Sequence, residues 1–227
     1  MKISGTLILC CACYLACILS GICAEQKFKF TGITDNLPSL SISSITQDSR
    51  GFLWLGTHNG LVMYNGIEYE SMSAVPFEEN TLASNLVQTV YMDRNDILWI
   101  GTYAGLDRYD IATGTFTNYP VGNNVVVSIF RDSADLLWVG TLDGLGCMHP
   151  GTDEFVVYKA DRLFRSIPDK VVRNLYEDMS GTVYACTYNG LYQYDSVSDS
   201  FIPSAILLPG NPALEGVVYA TEQDKKR

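Results

Sequence analysis

Histidine is almost missing from this chain of 227 residues, which has only His58 and His149. An enzyme that moves protons through paired imidazoles has little to work with here. Positive charge is scarce too, with 15 Lys and Arg against 25 Asp and Glu. Apart from Lys225-Lys226-Arg227 no run of Lys and Arg occurs, and that argues against nucleic acid as a partner. Past residue 24 the sequence holds no Gly-x-Ser-x-Gly elbow, no phosphate-cradling glycine loop and no Cys-x-x-Cys pair. Low-complexity segments are absent, and only one long apolar run is present, at the start.

That run, Ile3 to Ala24 behind Lys2, holds five of the seven cysteines: Cys10, Cys11, Cys13, Cys17 and Cys23. It reads as an export signal, residues 1–24, cleaved near Ala24 and followed by a mature region, residues 25–227. A membrane anchor stays open, since a spanning helix needs about 20 apolar residues. So does lipid attachment at Cys23, although Ile22 before it is bulky. Either way the remainder faces the periplasm or cell exterior. Lys2 is the only charge in the leader, so the mature region carries the whole acidic excess, which suits solubility. Cys147 and Cys186 remain. A disulfide between them requires their strands to meet; two separate buried thiols is the simpler expectation.

What is present in abundance is repetition. Asp48-Ser49-Arg50-Gly51-Phe52-Leu53-Trp54-Leu55-Gly56-Thr57-His58-Asn59-Gly60-Leu61 returns from Asp93 through Trp99-Ile100-Gly101-Thr102 to Leu106. It returns again from Asp132 through Trp138-Val139-Gly140-Thr141 to Leu145. A weaker copy runs from Asp178 to Leu191, with Tyr184 in the tryptophan place and Cys186 in that of the glycine. A fifth begins at Asp224. The spacing of roughly 40–45 residues is that of a propeller blade.

Within one copy, Asp48 to Gly51 has the composition of a tight turn, and the apolar run Phe52 to Leu55 that of a strand covered on both faces. Asn59-Gly60 suggests a type I′ hairpin. Leu61 to Tyr64 is a third strand, and Asn65-Gly66 turns into a fourth, Ile67 to Met72. The predicted fold is therefore all-β: a β-propeller of four-stranded antiparallel blades, about four plus a partial fifth, in an incomplete ring. Trp54, Trp99 and Trp138 are expected to wedge between neighbouring blades, and Gly56, Gly101 and Gly140 to permit close backbone approach. Phe28 to Ile33 reads as a strand ahead of the first blade. The uncovered edge of an open ring favours self-association.

Metal binding finds little support. Asp93-Arg94-Asn95-Asp96 is faintly similar to a calcium loop but lacks its glycine and distal glutamate. The aspartates at 48, 93, 132 and 178 are better read as turn caps than as acids of a reaction. No cofactor is implied. One constellation points to a ligand: the turns after each Gly-Thr display His58, Tyr103, Leu142-Asp143 and Tyr188-Asn189 at one end of the propeller. Aromatic and polar side chains around an axis suit stacking on a sugar and hydrogen bonding to it, so a glycan is the candidate ligand, with His58, Tyr103, Asp143 and Tyr188 as binding residues.

The pattern Asp-x-x-Gly, then Leu-Trp-Leu-Gly-Thr (53–57) or Leu-Trp-Ile-Gly-Thr (98–102), then Gly-Leu-x-x-Tyr (60–64 and 105–109), resembles the two-component regulator propeller family. Thr34-Asp35-Asn36-Leu37-Pro38 is similar to its usual opening. The resemblance covers residues 27–224. It implies the extracytoplasmic sensor of a large bacterial signalling protein, in which more blades, a small β-domain, a membrane helix and a histidine kinase or diguanylate cyclase follow. With four blades and no output module, the chain is read as the truncated front end of such a sensor, non-catalytic and ligand-binding. A secreted propeller lyase or hydrolase and a protein-interaction scaffold are the alternatives.

Overall fold

Short apolar runs bounded by turn residues fold locally into hairpins, and in the computed structural model they build four sheets of four antiparallel strands. The structure describes residues 37–121, 125–160 and 166–204. Blade 1 consists of β1 (Ile42–Gln47), β2 (Leu53–Thr57), β3 (Gly60–Tyr64) and β4 (Tyr69–Met72). Blade 2 is β5 (Val87–Met92), β6 (Ile97–Thr102), β7 (Gly105–Asp110) and β8 (Thr115–Tyr119). Blade 3 is β9 (Val126–Arg131), β10 (Leu137–Thr141), β11 (Gly144–Met148) and β12 (Phe155–Tyr158). Blade 4 is β13 (Val172–Glu177), β14 (Val183–Thr187), β15 (Gly190–Asp195) and β16 (Ser200–Pro203). Each is a simple meander in chain order. The leader, the expected strand 28–33 and the start of the fifth repeat lie outside the described residues. Among those described, no helix is long and apolar enough to cross a membrane.

The turn that opens each repeat is built around its aspartate. Asp48 Oδ1 accepts the amides of Arg50 and Phe52 at 3.0 and 2.9 Å. Its Oδ2 accepts the indole Nε1–H of Trp54 at 3.2 Å. The same indole contact joins Trp99 to Asp93 at 3.2 Å and Trp138 to Asp132 at 2.7 Å. In blade 4 the hydroxyl of Tyr184 takes the indole's part, reaching Asp178 Oδ2 at 3.2 Å. The aspartates are turn caps as expected, but each also fixes the ring six residues on. A hydrogen bond to a charged acceptor contributes about 1.5–3 kcal/mol.

The tryptophans are wedges. Trp54 is buried with Val87, Val90, Leu98 and Ile100 of blade 2, and Trp99 with Val126, Leu137 and Val139 of blade 3. Trp138 meets Tyr194 and Phe201 of blade 4 in edge-on contacts, 5.0 and 5.7 Å between ring centres. The glycine two residues on lies where the next blade's first strand comes closest. A methyl group on Gly140 would fall within 3 Å of the Val172 carbonyl, and on Gly101 within 3 Å of Val126. First strands therefore neighbour one another in the series β1, β5, β9, β13.

The series does not close among the described residues. Val87 and Val90 of β5 are 0% and 6% exposed, and Val172 and Leu175 of β13 are 0% and 5%. The matching Ile42 and Ile45 of β1 are 45% and 59% exposed. No described sheet covers this side of blade 1, as an incomplete propeller requires.

One local expectation is corrected. Asn59-Gly60 does not form a type I′ turn: Asn59 stays out of the left-handed region, and only Gly60 has positive φ, at 104°. Thr57 decides this. Its Oγ1 accepts the Asn59 amide at 3.0 Å and donates to the Gly60 carbonyl at 2.8 Å, so the loop is His58-Asn59 and Gly60 already belongs to β3. A side chain at Gly60 would also meet the Met72 carbonyl. Thr102, Thr141 and Thr187 make the same pair of bonds. The fourth strand of blade 1 starts at Tyr69 rather than Ile67, because the Asn65 side chain caps the amides of Ile67 and Glu68.

Candidate functional site

A meander of four strands puts its first and third turns at one end and its second turn at the other. The second turns carry the residues singled out for ligand binding: His58, Tyr103, Leu142-Asp143 and Tyr188-Asn189. The structure sets all of them at the equivalent hairpin of successive blades. His58, Tyr103, Leu142 and Tyr188 are exposed, and Asp143 is half-buried. Their backbone is tied down. The amides of His58, Tyr103 and Leu142 donate to Ser41, Leu86 and Val125, just ahead of each blade's first strand. The Arg173 guanidinium lies 5.1 Å from the Tyr188 ring centre, so one side of that ring is already covered by a cation. What remains is a set of exposed side chains on rigid turns.

The opposite end gathers the aspartate turns, and there the three blade junctions differ. At junction 1–2, Ser49 of blade 1 donates from its amide to Asp96 Oδ1 at 3.0 Å and from its hydroxyl to Oδ2. At junction 3–4, Ser133 donates in the same two ways to Glu177, at 2.9 and 2.5 Å. Arg94 occupies the serine's place at junction 2–3. There Arg131 reaches from blade 3 to Asp93 of blade 2 at 3.5 Å and to Asp135 at 3.2 Å. Beside it opens a cleft of roughly 350 Å³, bordered by Arg108, Arg131, Asn95, Asp135, His149 and Asp153.

Burial strongly perturbs several titratable groups, the hydroxyls of Tyr158 and Tyr194 beside Asp199 among them, both raised. Asp107 in β7 is completely buried, and burial pushes its carboxyl up to about 6 despite hydrogen bonds from the Ala83 amide and the Asn118 side chain. It ties the blade 1–2 connector to blade 2. Burial also raises the Cys147 thiol to about 12, which makes it a poor nucleophile at neutral pH. Cys147 and Cys186 are both buried thiols, not bridged to each other. For Asp48, burial works to raise the carboxyl, but the Arg50 side chain, the Phe52 amide and the Trp54 indole together hold it below the usual range.

His58 and His149 stand at opposite ends of their blades and form no pair. Among the described residues, no group of three or more His, Cys, Asp or Glu is placed to hold a metal ion. Sequence reasoning missed Asp107, Arg108 and Arg131. Asp107 had a signal: it interrupts a position held by Val62, Gly146 and Tyr192 in the other blades. Arg131 had none, because its partner Asp93 belongs to another repeat.

The model of a family described as two component regulator propeller matches residues 36–59, 81–104 and 120–143. Each match takes in an incoming strand, an aspartate turn and a tryptophan strand, and stops in the second hairpin turn. Three of the four described blades thus carry a match to that repeat. Blade 4, in which Tyr184 and Cys186 replace the tryptophan and glycine, lies outside the matched residues. Among solved structures, the chain is similar to the extracellular domain described as that of a putative hybrid two-component system from B. thetaiotaomicron. Identity is 25% and TM-score 0.68, over 81% of this chain and 27% of that one. The chain thus spans about a quarter of that relative's length. Two enzymes share the blade fold at lower identity. Virginiamycin B lyase from Staphylococcus aureus is 14% identical, TM-score 0.55, over 70% of this chain and 55% of that one. An ancestral GH74 enzyme is 16% identical, TM-score 0.57, over 73% and 24%. No curated protein matches the chain.

Proposed function

We propose that the chain is the sensor propeller of a bacterial two-component-type signalling protein, placed outside the cytoplasm and binding a ligand without transforming it. The observation that carries this reading is the repeat itself: the family pattern falls on three consecutive blades, and the neighbour at 25% identity is the extracellular domain of a hybrid two-component system. The apolar leader, residues 1–24, fits an export signal. The likeness to the two enzymes is one of fold, at 14% and 16% identity.

The turn end is the proposed docking place, with His58, Tyr103, Asp143 and Tyr188 presented on threonine-locked hairpins and a glycan as the candidate ligand. Aromatic rings cover sugar faces while neighbouring polar groups bond hydroxyls. Sensing then requires the ligand to bind two arrangements of the blades, or of propeller and downstream module, with different affinity. Oligosaccharide arrays probed with the exported chain test the ligand class. In a glycan-binding chain, Tyr103→Ala with Tyr188→Ala abolishes the signal while the thermal transition stays in place. Binding that survives both substitutions removes the turn end from consideration.

A further inference from the structure

The cleft between blades 2 and 3 has an uneven supply of hydrogen-bonding groups. Its buried carboxylate, Asp93, is engaged by the protein on both oxygens, and its two exposed ones, Asp135 and Asp153, on one each. Asp93 Oδ1 accepts the amides of Asn95 and Ile97, and its Oδ2 accepts the Trp99 indole and Arg131 Nη2. Asp135 Oδ1 accepts Arg131 Nη1, and Asp153 Oδ1 accepts the Tyr119 hydroxyl at 3.4 Å. The donors are under-used. Arg131 Nε is buried and is the one such side-chain atom among the described residues without a hydrogen-bond partner. Arg108 has a single acidic contact, Asp110 at 3.7 Å, which is beyond hydrogen-bonding distance. Its side chain is 30% exposed and that of Arg131 is 15%, so the two guanidiniums stand at different depths.

A buried donor with no acceptor costs about 1–3 kcal/mol, and a charged one costs more. A buried Arg131 Nε without an acceptor, beside the loosely paired Arg108, calls for a ligand that brings acceptors. Guanidinium edges match the two oxygens of a carboxylate, and a desolvated setting strengthens the pair. The opposing charges, Asp135 and Asp153, are exposed, where water and salt screen them.

We propose that this cleft binds a small organic carboxylate through Arg108 and His149, with Arg131 behind them. The site lies at the opposite end of the blades from His58, Tyr103 and Tyr188, so it stands or falls independently of the turn-end reading. Ligand there bridges β7 of blade 2 to the β11–β12 turn of blade 3, at the junction that lacks a serine–carboxylate contact.

The three tryptophans make the test direct, since Trp99 borders the cleft and Trp54 and Trp138 do not. The 15N-labelled chain is titrated with succinate, and with uncharged succinamide at matched ionic strength, while the three indole N–H signals are followed. The expected result is a saturable shift of Trp99 alone, given by succinate and not by succinamide. Arg108→Gln should weaken the apparent affinity at least fivefold and His149→Gln two- to threefold, with unchanged spectra before ligand. Tyr103→Ala with Tyr188→Ala should leave the titration untouched. A flat Trp99 signal, equal shifts with succinamide, joint movement of all three indoles, or an undiminished response in Arg108→Gln each overturns the proposal.

Discussion

Junctions 1–2 and 3–4 are closed at the aspartate end by a serine and a carboxylate; junction 2–3 is held there by Arg131 and stands open. The blades themselves are near copies: same aspartate cap, same aromatic wedge, same threonine hairpin. The difference arises at positions the repeat does not constrain, Ser49, Arg94 and Ser133, one residue past each aspartate. A repeat architecture keeps its stability in the shared positions and leaves one side chain per junction to vary. Function has room where that variation removes a contact.

The largest expected effect tests whether wedges matter equally at both kinds of junction. Trp138→Ala should cost about 3–5 kcal/mol in a denaturant titration, because the ring is fully buried against Tyr158, Tyr194 and Phe201. Trp99→Ala should fall at the low end of that range, since the open cleft lets its surroundings relax. Equal losses would mean that the cleft brings no looseness to its junction.

Asp107 gives the next effect, in blade 2 against the blade 1–2 connector. Its carboxyl titrates at about 6 in the fold and 3.8 in the unfolded chain, so the folded state holds the extra proton between those values. Stability from this group is therefore fully present below pH 4 and lost as pH rises to about 6, on the order of 3 kcal/mol. Asp107→Asn should abolish that slope, so that the wild-type-minus-variant stability difference falls between pH 4 and pH 7 in denaturant titrations. A difference that does not change with pH would show that the carboxyl is not held neutral by burial.

Gly140→Ala should destabilise by about 1–3 kcal/mol, because the added methyl meets the backbone carbonyl of Val172 and not a movable side chain. Removing a staple is milder. Ser133→Ala loses one hydroxyl bond to Glu177 and keeps the amide bond, a loss of about 1 kcal/mol by thermal denaturation. The smallest effect runs the other way. By repeat equivalence, Arg94→Ser faces Asp135, and should add at most about 0.5 kcal/mol while shrinking the Trp99 response to succinate. An enlarged response would contradict the view that the missing serine is what leaves the junction open.

Most of the blade was legible in the sequence because its determinants are local. Asp48 and Trp54 are six residues apart, Thr57 and Gly60 three, and such spacings fix turns and strands within one hairpin. The error at Asn59-Gly60 was also local: a dipeptide preference lost to a threonine side chain two residues earlier. The turn-end residues were placed in register by the same logic. The cleft was not legible, since Arg131 and Asp93 are 38 residues apart, and neither was the tie of Asp107 to Ala83 in the blade 1–2 connector.

By itself the sequence determined the unit and its period: an aspartate cap, an aromatic wedge and a hinge of glycine and threonine, each acting over less than ten residues. Only the tertiary structure decided which wedge meets which blade, which donors find acceptors across a junction and which stay unspent. The physical reason is that contacts between blades depend on pairs of side chains from different repeats, and a repeating pattern specifies each member of a pair without specifying the pair.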